Sequence, residues 1–531
     1  MQATKGDDRS VGSFTEIGPW VVDPAAMAWR KRIDELRVSA AEKVPQLIRR
    51  RRLPPSRGGR VVLRLARAAV PVLAKHRRHA KDQQGLPPEL AVALRPAFER
   101  LGPTFIKLGQ LIASGEGMLP AGWVEEFRKC RDQVPPESFK HVSRVIEQDF
   151  GRSVSDIFES FDPEPIAAAS IAQVHAARLK TGQDVVVKVQ RPGVDKVVAR
   201  DIATLAWLAP IIKRKRPEAG VTLPSYIEMF ASTIVEELDF RLEAENMLDV
   251  AAVLAAVEPR TIVVPRPHPQ LVTRRVLVME RLNGYRLDDE TQLQSAGIDP
   301  TPVFRALMVA LLEGAMVHGV FHGDLHAGNM FVDAQGRPAI FDFGITGRLS
   351  SEKRSALLGL VFCNLTQDGR GFLRHFRDLG ALPADTDIER LAREIEIDDL
   401  FTLAPAEISA EELAQQLRKT VNLLVAHGTK LPKEMFLFIK GFVYLAGAVS
   451  RVAADVDLIA FIGHIAELFT RSHNEALTEA EIRIEALQDT GQIANSIRRR
   501  VGIEDRTMTV SEARRTQGRR VGELLKVMKR Q

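Results

Sequence analysis

The sequence predicts an α+β chain in two lobes, a small β-rich lobe followed by a larger and largely helical C-terminal lobe, behind a helical N-terminal extension. Three observations lead there. Short β-branched runs are concentrated between about residue 157 and residue 285, apolar positions at helical spacing with few breakers fill residues 88–148, and nearly everything from residue 302 onward reads as helix.

Taken in order, residues 1–82 form a basic N-terminal segment in which Arg49-Arg50-Arg51-Arg52 and a Pro54-to-Gly59 break lead into a helix around Val61–Arg67. Leu86-Pro87-Pro88 opens the helical extension, residues 83–150. The N-lobe, 151–285, contains a hairpin of Ile171–Leu179 and Asp184–Val189 joined by Lys180-Thr181-Gly182-Gln183. One long helical pattern then covers roughly Tyr226–Val257, and Val276–Met279 reads as a strand entering the Glu280-to-Gly284 connection. In the C-lobe, 286–470, two short strands at Met330–Val332 and Ala339–Phe341 flank the turn Asp333-Ala334-Gln335-Gly336. Residues 471–531 read as a basic helical tail.

Composition narrows the class. At 531 residues, 45% hydrophobic and 27% charged, the chain can bury substantial cores and is not disordered throughout. Its two cysteines, Cys130 and Cys363, are far apart and have no His or Cys cluster nearby, which argues against a disulfide framework or a structural zinc site and favours a cytosolic setting. No uninterrupted apolar run has the length of a membrane span, the best being Gly441–Val449, and no secretory leader is evident, so a cytoplasmic protein without a transmembrane helix is expected.

The net charge of +6 hides a segregation. Residues 49–81 carry twelve Lys or Arg and no acid, and residues 498–531 carry eleven basic and four acidic side chains, which leaves −13 for everything else. The basic flank 49–81 is open to three readings: contact with an anionic membrane surface, a solvated tail, or nucleic-acid binding. Almost no aromatics stand among these charges to stack on bases, so nucleic acid is not expected as a partner.

The chemistry is concentrated in His322-Gly323-Asp324-Leu325-His326-Ala327-Gly328-Asn329, followed thirteen residues later by Asp342-Phe343-Gly344. A lone Asp-Phe-Gly is common by chance. The combination matches the H-x-D-x-x-x-x-N loop and metal-binding Asp of kinases, and the intervening hairpin would bring Asn329 and Asp342 to one Mg2+ site. Asp324 would orient or deprotonate the acceptor, and His322 would be a structural hydrogen-bonding residue. Phosphoryl transfer also needs a strand Lys on the phosphates of ATP, which Lys188 supplies, and a helix acid to hold it. Glu236, Glu237, Asp239, Glu243 and Glu245 all qualify for the second role, and the residues alone do not choose.

Two departures from ordinary protein kinases stand out. Where a Gly-rich phosphate loop belongs, the chain has Ala167-Ala168-Ala169-Ser170, whose Cβ atoms restrict backbone approach to phosphate. No A-P-E follows the Asp-Phe-Gly, since Ala404-Pro405-Ala406-Glu407 is misordered and too distant.

These features resemble the UbiB (AarF/ADCK) family of atypical kinases over roughly residues 85–465. The resemblance is carried by the alanine-rich Ala167–His175 stretch, by Lys107-Leu108-Gly109-Gln110 with Asp132-Gln133-Val134-Pro135-Pro136 behind it, and by Glu237-Leu238-Asp239 with Arg241-Leu242-Glu243-Ala244. Family members usually carry Gly where this chain has Ala172. The resemblance implies that Glu243 pairs with Lys188, and that Lys107 and Gln110 lie over the nucleotide pocket near Glu237 and Asp239, blocking peptide substrates. It implies ATP with Mg2+ as cofactors, the nucleotide lying along Ala167–Ser170, Lys188 and the connection at Glu280 and Leu282. The implied activity is ATP hydrolysis or phosphorylation of a small or lipid-like acceptor in support of ubiquinone-type lipid synthesis, with quinone precursors, lipids and quinone-biosynthesis enzymes as partners. A small-molecule kinase of the aminoglycoside or choline type and a nucleotide-binding scaffold with little turnover are the competing readings. Many relatives carry a C-terminal transmembrane pair that is not evident in this chain, so any membrane attachment is expected to be peripheral.

Overall fold

A computed structural model describes residues 12–15, 18–49, 53–79, 87–113, 121–130, 134–215, 223–257, 261–366, 368–397, 429 and 432–452. Arg50 to Arg52, Asp132, Gln133, the 404–407 stretch and everything after residue 452 lie outside the described residues. The chain divides into two compact units, one comprising residues 1–286 with 327–346, the other 287–326 with 347–531. The architecture is α+β.

The first unit is built on an antiparallel sheet of β1 (Phe158–Phe161), β2 (Ala167–Ala168), β3 (Ala172–Leu179), β4 (Asp184–Gln190), β5 (Pro267–Val272) and β6 (Val276–Glu280), in the order β1-β3-β4-β6-β5 with β2 paired to β3. The expected hairpin is β3–β4, in register from Ala172 opposite Gln190 to Arg178 opposite Asp184, and Gly182 supplies the positive φ of its turn. Alternation along β4 buries Val185, Val187 and Val189 with Val142, Val145 and Ile146 of the helix Phe139–Phe150. Lys188 therefore points to the opposite face.

The long helical pattern at 226–257 is two helices, Leu223–Glu236 and Phe240–Ala256, rather than one. The break has a cause in capping chemistry. Asp239 leaves helical geometry at φ −137° and its carboxylate accepts the N–H of Arg241, starting the second helix as an N-cap.

Residues 12–15 and 18–37, expected to belong to a separate segment, are laced onto this same unit. Trp20 and Trp29 donate their indole N–H groups to the carbonyls of Pro267 and His268, and Arg30 forms a two-pronged pair with Glu245 at 2.6 and 2.7 Å. Further on, the helix Arg57–His79 is docked through Arg57, which grips the fully buried Asp201 with two bonds of 2.8 Å and the carbonyl of Leu101 at 2.5 Å.

Residues 327–346, expected within the helical lobe, pack with the first unit. The reason lies in their backbone pairing. A small sheet joins β7 (Tyr285–Arg286) to the hairpin Met330–Val332 and Pro338–Ile340, and Val263 bridges to Ala339.

In the second unit, the helix Pro300–Glu313 packs against the helix Lys433–Val452, which contains the whole Gly441–Val449 run. The stretch Pro300–His318 is long and apolar enough to cross a membrane by length and composition alone, although Arg305 and Glu313 interrupt it and 61% of its most apolar window is buried inside the protein.

Candidate active site

Helix Phe240–Ala256 organises the site in the first unit, because Glu243, Glu245 and Asn246 on it are buried and each has a destination. Glu243 accepts from Lys188 Nζ at 2.7 Å, and Asn246 donates to the carbonyl of Phe343 at 2.9 Å. The first contact selects Glu243 from the five acids left open by the residues alone. Lys188 also reaches Asp342 Oδ1 at 3.2 Å and lies 5.4 Å from the centre of the Phe240 ring. Burial opposes the Lys188 charge, but Asp342 and Glu243 together outweigh it and hold the ammonium protonated. Burial pushes the Glu243 carboxyl up to about 7 against the pull of Lys188.

Asp342 adopts φ +57°, a left-handed conformation that is uncommon outside glycine and is found where a site demands it. Its carboxylate accepts the N–H of Gly344 at 3.3 Å and is 49% exposed. The hairpin brings Asn329 alongside, since the Phe341 N–H donates to the Asn329 carbonyl at 2.9 Å. The backbone of Asn329 thus pairs with the residue just ahead of Asp342 across the hairpin. Among the described residues no group of three or more His, Cys, Asp or Glu forms a metal cluster. One carboxylate and one amide oxygen donor suit Mg2+, which takes most of its shell from phosphate and water.

Lys107, on the helix Pro103–Ala113, pairs with Glu237 at 2.8 Å, and Glu237 lies so close to Gly344 that a Cβ there would stand 3.2 Å from its Cγ. Burial raises the Glu237 carboxyl and Lys107 partly offsets this. Gly109 allows the Lys107 helix to approach Phe127 and Cys130. Gln110, one turn on, is half-buried on the same helix. The Asp239 carboxylate caps its own helix and pairs with Arg241 at 2.7 and 2.9 Å.

The alanine loop is held from behind. Ala167 and Ala168 form β2, the Ala169 N–H donates to the Ala172 carbonyl at 2.9 Å, and Ser170 is buried. Arg191, missed in the sequence, bonds the carbonyls of Ala169, Pro135 and Val134 and pairs with Glu137. Gln173 accepts the Glu137 N–H at 2.8 Å and lies 2.8 Å from His175 Nε2, whose other ring nitrogen meets the Asp162 carbonyl at 2.8 Å. Burial lowers the His175 pKa, consistent with a neutral ring donating from Nδ1. These side chains fix the loop's backbone, so its rigidity does not depend on glycine. At the connection, the Glu280 carboxylate is already engaged by the buried Arg266 at 3.2 Å and by Thr15 at 2.6 Å. A nucleotide there would meet the backbone around Leu282, which is half-buried, rather than the Glu280 side chain.

Asp324 and the first half of its loop belong to the second unit. His322 is buried and its Nδ1 accepts the Asp324 N–H at 3.2 Å, the structural part expected of it. His326 Nε2 stands 3.8 Å from Asp324 Oδ2. Asp324 Oδ1 is paired with Lys440, a partner that no motif signalled because 116 residues separate them.

Comparison with known proteins follows the same lines. The family described as ABC1 atypical kinase-like domain matches residues 129–376. The chain is 34% identical over 430 residues to the uncharacterized protein Rv0647c of Mycobacterium tuberculosis, covering 79% of this chain and 86% of that one. It is 30% identical over 406 residues to an uncharacterized aarF domain-containing protein kinase, At5g05200, of Arabidopsis thaliana, covering 71% and 75%. It is also 32% identical over 372 residues to a probable protein kinase UbiB of Pseudomonas putida, covering 69% and 68%. The chain belongs to the ABC1 family of atypical kinases, the family of the UbiB and AarF-domain proteins.

Proposed function

We propose that this protein binds Mg-ATP and hydrolyses it, or transfers its terminal phosphate to a small or lipid-like acceptor, in support of quinone lipid synthesis of the ubiquinone type. The observation that carries the reading is the Lys188–Glu243–Asp342 constellation, a strand ammonium held between a helix carboxylate and the Asp of Asp-Phe-Gly. Lys188 binds phosphate oxygens and Glu243 keeps it aimed. Asn329 and Asp342 would hold Mg2+, which would supply positive charge to the phosphate oxygens. The nucleotide lies along Ala167–Ser170 and the connection near Leu282. Asp324 receives the proton of the attacking hydroxyl or water.

Lys107 and its helix, pinned through Glu237 beside Gly344, support a covered pocket that admits small acceptors and excludes peptides. Gln110 shares that helix. Support for peripheral membrane contact comes from the helix Arg57–His79, where Arg60, Leu63, Arg67 and Val70 follow at spacings of three and four on an exposed face, Leu63 51% and Val70 59% accessible. A face that mixes cations with exposed aliphatics suits an anionic lipid interface.

The test is Mg-dependent ATP binding and turnover by the full chain, with and without anionic liposomes and a phenolic quinone precursor, in wild type and Asp342→Asn. The expected result is Mg-dependent binding and a turnover that Asp342→Asn lowers by about 10²-fold or more. Binding without variant-sensitive turnover would favour a nucleotide-binding scaffold. No ATP binding at all would end the proposal.

A further inference from the structure

The loop His322–Asn329 contains no Lys or Arg, yet its Asp324 is not left to itself. In the second unit, Lys440 pairs with Asp324 Oδ1, and both side chains are largely withdrawn from water, at 16% and 14% exposure. The placement is built rather than incidental. Phe438 meets the buried Phe321 edge to face at 6.1 Å, just ahead of the loop. Gly441 brings the helix Lys433–Val452 so close that a Cβ there would stand 3.3 Å from Leu311 and 3.9 Å from Leu325. Phe438 and Gly441 bracket Lys440 on one turn, and Phe321 and Leu325 bracket Asp324 in the loop. The contact follows from two packed neighbours on each side.

We propose that Lys440 is a positioning residue for Asp324, supplying from a distant helix the cation that the loop lacks. This rests on the phosphotransferase reading above. In the reaction, the oxygen of the acceptor hydroxyl, or of water in hydrolysis, bonds the terminal phosphorus of ATP. The bond from that phosphorus to the ADP oxygen breaks, ADP leaves with the electron pair, and the acceptor proton passes to Asp324. Lys440 contributes in two ways. It fixes Oδ1 and with it the orientation of the whole carboxylate, whose Oδ2 stands 3.8 Å from His326 Nε2. It also offsets the repulsion between the carboxylate and the phosphoryl group during transfer, an effect felt in the transition state rather than in the binding of ATP. His326 cannot substitute, because 3.8 Å is too long for a hydrogen bond.

The experiment compares full-length wild type with Lys440→Met, Lys440→Gln, Lys440→Arg, Asp324→Asn and the Lys440→Met/Asp324→Asn double variant, measuring Mg-ATP affinity by calorimetry, steady-state turnover and thermal melting. Lys440→Met is expected to lower kcat about 10²-fold while the Kd and KM for ATP change by no more than about twofold. Lys440→Arg should recover part of the loss, and the double variant should be no slower than Asp324→Asn alone. If Lys440→Met melts early, Lys440→Gln is read in its place. A kcat within about twofold of wild type in a stably folded Lys440→Met or Lys440→Gln variant, or a double variant whose losses multiply, would overturn the inference. A wild type that does not bind Mg-ATP, or an Asp324→Asn variant as fast as wild type, would instead overturn the phosphotransferase reading.

Discussion

Replacing Arg57 by alanine is expected to cost about 3–5 kcal/mol of stability in the first unit. The figure follows from what the change leaves behind. Asp201 is 0% exposed, and its carboxylate is satisfied by the guanidinium at 2.8 Å from both Nε and Nη2. Without that fork a buried carboxylate stands uncompensated, and the Leu101 carbonyl at the end of the helix Pro88–Leu101 loses its 2.5 Å donor as well. Replacing both partners by apolar residues, Arg57→Met with Asp201→Leu, should recover much of the loss, because the cost lies in the orphaned charge and not in the absence of the pair. All four tryptophans, Trp20, Trp29, Trp123 and Trp207, belong to the first unit, so denaturant unfolding followed by tryptophan fluorescence reads that unit alone. The reasoning is refuted if Arg57→Ala costs less than about 1 kcal/mol, the value of an exposed ion pair, or if the two single losses simply add in the double variant. In either case the helix Arg57–His79 would not be held in solution by this contact.

Three further outcomes are expected. Glu243→Gln should lower turnover by about 10²-fold with little effect on stability, since Lys188 keeps Asp342 but loses the carboxylate that aims it; steady-state kinetics beside a melting curve check this. His268, whose Nδ1 accepts two backbone N–H groups and whose pKa burial lowers to about 4, should make the first unit acid-labile. The unfolded chain binds this proton below about 6.5 and the folded one does not, so stability is present above that pH and is lost as pH falls toward 4, by up to about 3 kcal/mol; His268→Gln should flatten this limb in urea titrations at pH 7 and 4.5. Gly347→Ala should destabilise the second unit by about 1–3 kcal/mol or more, because the added methyl overlaps the buried Phe321 ring; circular dichroism melting is the measure.

Much of this was legible in the sequence where the signal is local. The β3–β4 hairpin shows in the alternation of Asp184–Val189 and in Gly182, and the Asn329–Asp342 return shows in the two short strands around Gly336. Apolar spacing runs unbroken through Tyr226–Val257 and reads as one helix, while the interrupting signal, Asp239 two residues ahead of Arg241, is a capping preference that periodicity does not register. What could not be read locally are partners set by tertiary packing. Arg191 looks like any Arg after a strand until three carbonyls converge on it, and Lys440 looks like a charge interrupting an apolar helix. Glu243 could be chosen among five acids only through resemblance, since helical phase fixes which side chains share a face but not which face meets β4.

The lacing of Thr15, Trp20, Trp29 and Arg30 onto the first unit also bears on the order in which the protein is made. Thr15 meets Glu280 across 265 positions, and Arg30 meets Glu245 across 215. Closing a loop of that size costs about 3 kcal/mol more than closing one of ten residues, and on the ribosome the early segment has no partner until its mates have emerged. It must wait exposed, with Trp20 and Trp29 uncovered, through the synthesis of the entire sheet. This strap accordingly settles only after the sheet it clasps has been made, and until then it is open to a chaperone. A chain shorn of it would complete the sheet but leave the helix that carries Glu243 without its outer brace.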